Sequence, residues 1–235
     1  MMPAILCLDT SGRFLSVALS YNNQISTKHQ QVERSHTKHL VSTIKQLLAE
    51  AGMEIQDLDA LAFGCGPGSF TGIRIAASFA HGIACGSNIR LIPVSTLATL
   101  AATGYRLTGK THVLTALDAR IEEVYWAQYQ VVAEGPVSYS IMALDKEQLS
   151  KSETIVLKKV DKDGNKIDMQ ACLAIGDGFR NKKNLPEAIQ ALACLDQQTP
   201  LAEDMLHLAT AAYIRGRSVQ PEQAQPVYLR QQYNP

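Results

Sequence analysis

A chain of 235 residues, 46% hydrophobic and 19% charged, has room for one large domain or two small ones around a real core. Its 22 basic residues balance 22 acidic ones, so no strong field draws it to nucleic acid or an anionic membrane; if RNA is involved, a partner supplies the cations. No apolar run approaches the roughly 20 residues of a membrane span. The N-terminal MMPAILCLDTSG lacks the basic start of a signal peptide, so a cytoplasmic location is expected. Cys7, Cys65, Cys85, Cys172 and Cys194 are scattered without metal or redox spacing and read as reduced thiols.

Along the chain, AILCLDTSG, RFLSVALSY and QISTKHQQ are short β-type runs split by turn residues, the pattern of an antiparallel meander. In SHTKHLVSTIKQLLAEAG the apolar residues Leu40, Val41, Ile44, Leu47, Leu48 and Ala51 share one helical face, and Gly52 stands where a C-terminal cap belongs. LDALAFG is a strand, SFTGIRIAASFAHGIACG a second helix, RLIPV a strand and STLATLAAT a third helix. The order then repeats. HVLTALDAR, EEVYWAQYQVV and PVSYSIMAL are strands, DKEQLSK a short helix candidate and CLAIGDG a strand. FRNKKNLPEAIQAL is helical in part, ACLDQ a strand or extended segment, and PLAEDMLHLATAAYIRG a helix. The pairs LCLDTSG/LTALDAR, AFGCGPG/AIGDG and LIPVSTLATLAA/CLDQQTPLAEDMLHLATAA match in chemistry and in order, so the sequence reads as a duplicated β-β-β-α-β-α-β-α unit changing over near Gly104–Gly109. KKVDKDGNKIDMQ departs from the calcium-loop pattern and reads as a charged hairpin or loop.

The turn GCGPGSFTG resembles a phosphate cradle but lacks the lysine of a Walker loop, and neither a dinucleotide fingerprint nor a nucleophile elbow fits. Its glycines turn the chain sharply, and Ser69 or Thr71 caps the following helix, whose first amides could also hold an anion. That helix is the stronger clue. Between Ile73 and Ala84 its strongly polar residues are Arg74, Ser78 and His81, while Gly72, Ala76, Ala80 and Ala84 form a small-residue stripe. A helix apolar nearly all round is buried nearly all round, so a second chain is expected to cover the flank its own sheet leaves open, the alternative being the third helix of the same lobe.

GPGSFTGIRIA, DARIEEVYWAQY, PLAEDMLHLA and the near-terminal QPVYLR together resemble the TsaB family, the non-catalytic subunit of the bacterial machinery that makes threonylcarbamoyladenosine in tRNA. The resemblance spans nearly the whole chain and is weakest over residues 145–184. It implies an α/β fold of two ribonuclease-H-like lobes, as in actin, sugar kinases and heat-shock ATPases. The expected limits are 1–104 for the N-terminal lobe, completed by a helix at 200–216, then 105–199 for a smaller lobe and 217–235 for a tail. It also implies a protein that is not itself an enzyme. It would support a TsaD-type catalytic subunit in forming threonylcarbamoyl on N6 of the adenosine at position 37, beside the anticodon of tRNAs reading codons that begin with adenine.

Implied partners are the TsaD-type subunit, a TsaE-type ATPase and a second copy of the chain, with tRNA met only through the complex. The helices expected to meet them carry Leu40, Ile44, Leu47, Ile73, Ala76, Ala77, Ala80 and Ala84. No cofactor of its own is implied. Arg120 stands where a close phosphate turn wants glycine, so an ATP site of the chain's own reads as degenerate; ATP or ADP at the joint interface would meet Asp9, Ser11 and Arg120. His36 and His39 lack the spacing and third ligand of a metal site and read as polar residues at a helix start. The rival is a stand-alone ATP-dependent kinase or hydrolase of the same fold, suggested by Asp9 and the glycine turns.

Overall fold

The computed structural model describes residues 2–32, 36–134 and 138–230, which fall into two compact units: 1–99 with 200–227, and 100–199 with 228–235. In chain order the elements are β1 (Ile5–Asp9), β2 (Phe14–Tyr21), β3 (Gln24–Gln31), α1 (His36–Ala51), β4 (Ala60–Gly66), α2 (Phe70–Ser87), β5 (Arg90–Ser95) and α3 (Thr96–Thr108). There follow β6 (His112–Arg120), β7 (Glu123–Ala133), β8 (Tyr139–Ala143), β9 (Gln148–Lys151), β10 (Cys172–Ile175), α4 (Glu187–Gln190), β11 (Ala193–Leu195) and α5 (Ala202–Ile214).

In the first unit the sheet runs β3-β2-β1-β4-β5, antiparallel through β3-β2-β1 and parallel through β1-β4-β5. The β2–β3 turn is Asn22-Asn23 with φ of 46° and 61°, residue types that tolerate the left-handed region a two-residue hairpin needs. Strands β1 and β4 are apolar at every second position on both faces, because both faces are covered. Leu6, Leu8, Leu61 and Phe63 share a core with α1 and α2, whereas Ile5, Cys7, Ala60 and Ala62 pack with Ala202, Met205, Leu206 and Ala209 of α5. Helix α1 ends as Gly52 predicts: at φ 64° its N–H reaches the Ala49 carbonyl and Met53 N–H reaches Leu48.

The second sheet repeats the first. Its order is β8-β7-β6-β10-β11, again antiparallel through the first three strands and parallel through the last. The expected duplication is there, with one loss: no α-helix separates β8 from β10, where there are only short 3-10 turns at Ser152–Thr154 and Met169–Ala171. The DKEQLSK segment is corrected from helix to strand. Its Gln148–Lys151 pairs with Glu123–Trp126 of β7, beyond the Tyr129–Ala133 stretch that β8 covers. Pairing satisfies backbone groups along the rest of the β7 edge, which a single helical turn could not do. The charged 158–166 segment forms a hairpin closed by a Val160–Lys166 bridge, and buried Gln128 and Gln130 hold its Lys158 and Lys162 amides at 2.8 and 3.1 Å. Gly104 lies inside α3, where a Cβ would come within 2.8 Å of Leu173, and Gly109 (φ 69°) follows the helix end.

Candidate functional site

The glycine turn before α2 is filled by the chain itself. Ser69 N–H donates to the Ser11 carbonyl at 2.7 Å, and Thr10 Oγ1 donates to the Gly72 carbonyl at 2.7 Å. A Cβ at Gly68 would stand 2.9 Å from the Ser11 carbonyl, and one at Gly72 only 1.9 Å from the Thr10 carbonyl. These glycines therefore let two backbones touch. Ser69 is the N-cap, its Oγ accepting from Gly72 N–H at 3.4 Å, while Thr96 Oγ1 donates to the Pro67 carbonyl. The space where a phosphate would lie against this helix holds the β1–β2 turn.

Asp9 and Ser11, expected at a nucleotide, are 2% and 4% exposed. Asp9 Oδ1 accepts from Ser11 N–H (3.0 Å) and Ser11 Oγ (2.8 Å), a closed local cap. Asp9 Oδ2 has no hydrogen-bond partner among the described residues and faces the Gly64 backbone, where an added Cβ would be 1.9 Å away. Burial raises its pKa from 3.8 to about 6, only partly opposed by the Ser11 bonds. Neither side chain is open to Mg-nucleotide, so the first unit's turn does not fit that group.

All eight residues expected to meet a partner are buried in the first unit's own core. Leu40, Leu47, Ala76 and Ala80 have no exposure, and Ile44, Ile73, Ala77 and Ala84 reach 5% at most. The assignment is corrected, and the reason is packing: the Gly72–Ala76–Ala80–Ala84 stripe lets α2 lie close on its own sheet, where Ala76, Ala80 and Ala84 join the core shared with α1. The face that α2 leaves outside is a different one. It carries Phe70, Thr71, Arg74, Ser78, Gly82, Cys85 and Gly86, all exposed, with Ile75 and Phe79 half-buried beside them. Phe70, Thr71, Arg74, Ile75, Ser78 and Phe79, together with Thr37 of α1, line an open apolar groove of about 410 Å³. The Arg74 guanidinium stacks over the Phe70 ring at 3.7 Å. Periodicity misses this face because its apolar members, Phe70, Ile75 and Phe79, do not repeat at one helical spacing; Ser78, Gly82 and Gly86, four apart, were the legible signal.

Arg120 belongs to the second unit, at the β6–β7 tip, and is exposed with φ 64°. Its N–H donates to Asp118 Oδ1 at 2.8 Å, and Asp118 N–H donates to Asp177 Oδ1 at 2.9 Å. His39 is exposed near the start of α1, and the His36 side chain lies outside the described residues. Among the described residues no three His, Cys, Asp or Glu side chains gather as metal ligands do, and no helix is long and apolar enough to cross a membrane.

Comparison with known proteins places this geometry. The family model for TsaD, tRNA N6-adenosine threonylcarbamoyltransferase, matches residues 21–222. The tRNA threonylcarbamoyladenosine biosynthesis protein TsaB of Escherichia coli is 35% identical over 96% of this chain and 94% of its own length. That of Haemophilus influenzae is 32% identical over 96% and 93%. The solved structure of YeaZ from Pseudomonas aeruginosa superposes with a TM-score of 0.86 at 36% identity, covering 97% of this chain and all (100%) of that one. A second structure from that organism, described as similar to peptidase YEAZ, gives 0.87 at 36% identity.

Proposed function

The chain belongs to the TsaB family of tRNA threonylcarbamoyladenosine biosynthesis proteins, and from that premise we propose that it works as an accessory subunit docking a TsaD-type catalytic protein rather than as a catalyst. The observation that carries the reading is the exposed α2 face, where an apolar groove with Phe70 and Phe79 in its wall runs into the small residues Ser78, Gly82 and Gly86. Water meets apolar walls at one end of this face, and a partner helix finds no bulky side chain at the other. The filled glycine turn and the buried Asp9 support the non-catalytic part: neither offers a nucleophile, metal ligand set or free phosphate cradle to a substrate. On this reading tRNA is met through the catalytic subunit, a TsaE-type ATPase joins the pair, any ATP or ADP sits with the complex, and the chain works in the cytoplasm. The balanced net charge agrees with a protein that leaves RNA binding to others.

A second occupant of the same face is another copy of the chain. Around a two-fold axis near Ser78, the bulky Phe70 end of one α2 lies over the Gly82–Gly86 end of the other, a self-complementary fit that a C2 pair requires. Light scattering of the full chain, alone and with the purified TsaD-type protein, separates the two. Ser78→Arg places a long charged side chain on the exposed face without touching the core. It is expected to keep the wild-type melting midpoint, to elute as a monomer, and to bind the TsaD-type protein at least a hundredfold more weakly. Wild-type affinity in this variant sinks the assignment of the face. The kinase or hydrolase alternative makes the opposite demand: micromolar Mg-ATP binding and turnover by the isolated chain, lost in Asp9→Ala.

A further inference from the structure

The tail that follows α5 crosses the first sheet from one face to the other. The helix ends at Gly216 (φ 67°), with Arg217 N–H on the Ala212 carbonyl at 2.9 Å. Val219 then pairs with Leu91 on the outer edge of β5 through two bonds of 2.8 and 2.9 Å, and Arg90 reaches the Ser218 carbonyl at 3.3 Å. After one 3-10 turn at Pro221–Gln223, Ala224 has no exposure and sits in the core that α2 shares with α1, while α5 packs on the opposite face. Residues 219–227 thus form a strap over the sheet edge.

The far end of the strap reaches the start of α2. Strands β4 and β5 pair Gly64 with Val94 and then Gly66 with Ser95, so Cys65 is an extra residue, a bulge. Its carbonyl accepts from Val227 N–H at 2.7 Å. Gly66 (φ 114°) lets the strap come this close, since a Cβ there would stand 2.6 Å from the Val227 carbonyl and 3.1 Å from Ile73 Cδ1. Ser69 follows as the cap of α2, and Phe70 opens the exposed groove. A bulge re-aims the chain beyond it, and this one aims the helix that carries the docking face.

We propose that the 219–227 strap is the positioning element of that face, with Val227 setting the first turn of α2 through the Cys65 bulge; the inference rests on the docking reading above. An edge pair, two small buried side chains (Pro221 and Ala224) and a terminal bond hold the strap, so it opens at less cost than the sheet it crosses. When it opens, Cys65 loses its donor and the turn bearing Phe70 and Arg74 shifts. Molecules with the strap seated are the ones that dock at full affinity.

Hydrogen exchange of the full-length chain alone, and its titration calorimetry against the purified TsaD-type protein, test the proposal. Val227→Pro removes the N–H that Cys65 accepts. The Ser69, Gly72 and Ile73 amides are expected to exchange at least threefold faster in this variant, and the partner to bind at least threefold more weakly. Val227→Ala keeps the N–H and is expected to match wild type in both. Ile92→Val trims the core on the α5 face by about as much stability as one backbone hydrogen bond, and is expected to leave both readings within twofold. Should Val227→Pro fail to fold, Ala224→Gly takes the buried methyl from the strap and loosens its backbone, with the same two effects expected. Unchanged exchange in the first turn of α2 overturns the proposal, and so does a loss of affinity that Ile92→Val reproduces. Faster exchange with undiminished affinity is decided by Ser78→Arg. If that variant has lost the partner, the docking face stands and the strap's part in it falls. If it binds normally, the docking reading is wrong and the proposal goes with it.

Discussion

Asp9 shows how much one side chain can hold against stability. Its carboxylate is buried, one oxygen bound by Ser11 and the other facing backbone. Because burial lifts its folded pKa from 3.8 to about 6, the folded state holds a proton that the unfolded state releases. The stabilisation is complete below pH about 4 and is lost as pH rises through about 6, a change of about 3 kcal/mol by linkage. Asp9→Asn is therefore expected to raise the melting midpoint at pH 8 and to leave it nearly unchanged at pH 4; equal shifts at both would show that the carboxylate is not the cause. Gly72 makes a converse case. An added methyl would meet the Thr10 carbonyl at 1.9 Å, so Gly72→Ala should cost about 3 kcal/mol in urea unfolding, although Ala is ordinarily the better helix former. The glycines of the turn were visible in the sequence. That they admit a neighbouring backbone rather than a phosphate was not, because the residues filling the cradle, Thr10 and Ser11, lie about 60 positions away, as the Thr10–Gly72 separation of 62 shows.

Helix α2 carries two small stripes, offset by two residues, and they face opposite ways. Gly72, Ala76, Ala80 and Ala84 are buried against the chain's own sheet and α1; Ser78, Gly82 and Gly86 remain outside. Composition alone does not rank them, since both have spacing four and both suit close helix packing. Only the position of the sheet decides which stripe is core. The consequence can be measured by circular dichroism. Ala80→Arg, which forces a charge and six added heavy atoms into a filled core, should leave the chain unfolded at 25 °C, whereas Ser78→Arg should melt as wild type does. If both fold equally well, the burial described for α2 is wrong. The same limit explains DKEQLSK. Four residues do not display a period, and their strand exists because β8 stops short of the end of β7.

At the scale of the molecule, the repeated sheet order is the main fact, and so is the way its closing helix is used. Helix α5 follows β11 of the second sheet, yet it packs on β1, β2, β4 and β5 of the first. Met205 has no exposure there, so Met205→Asp should unfold the first unit although the residue lies more than a hundred positions beyond its last strand; a protease-resistant 1–99 segment in that variant would contradict the packing. From the sequence alone followed the strand-and-helix inventory of the first half, the duplication, the capping of α1 and α2, and the family. All of these rest on local periodicity, turn chemistry or matched order, which neighbouring residues carry between them. The tertiary structure alone decided which face of α2 meets water, that the glycine turn is closed by the chain itself, that 148–151 is a strand, and that residues 219–227 strap the edge of the first sheet. Each of those depends on what distant residues bring alongside, and burial is a property of the pair, not of either segment.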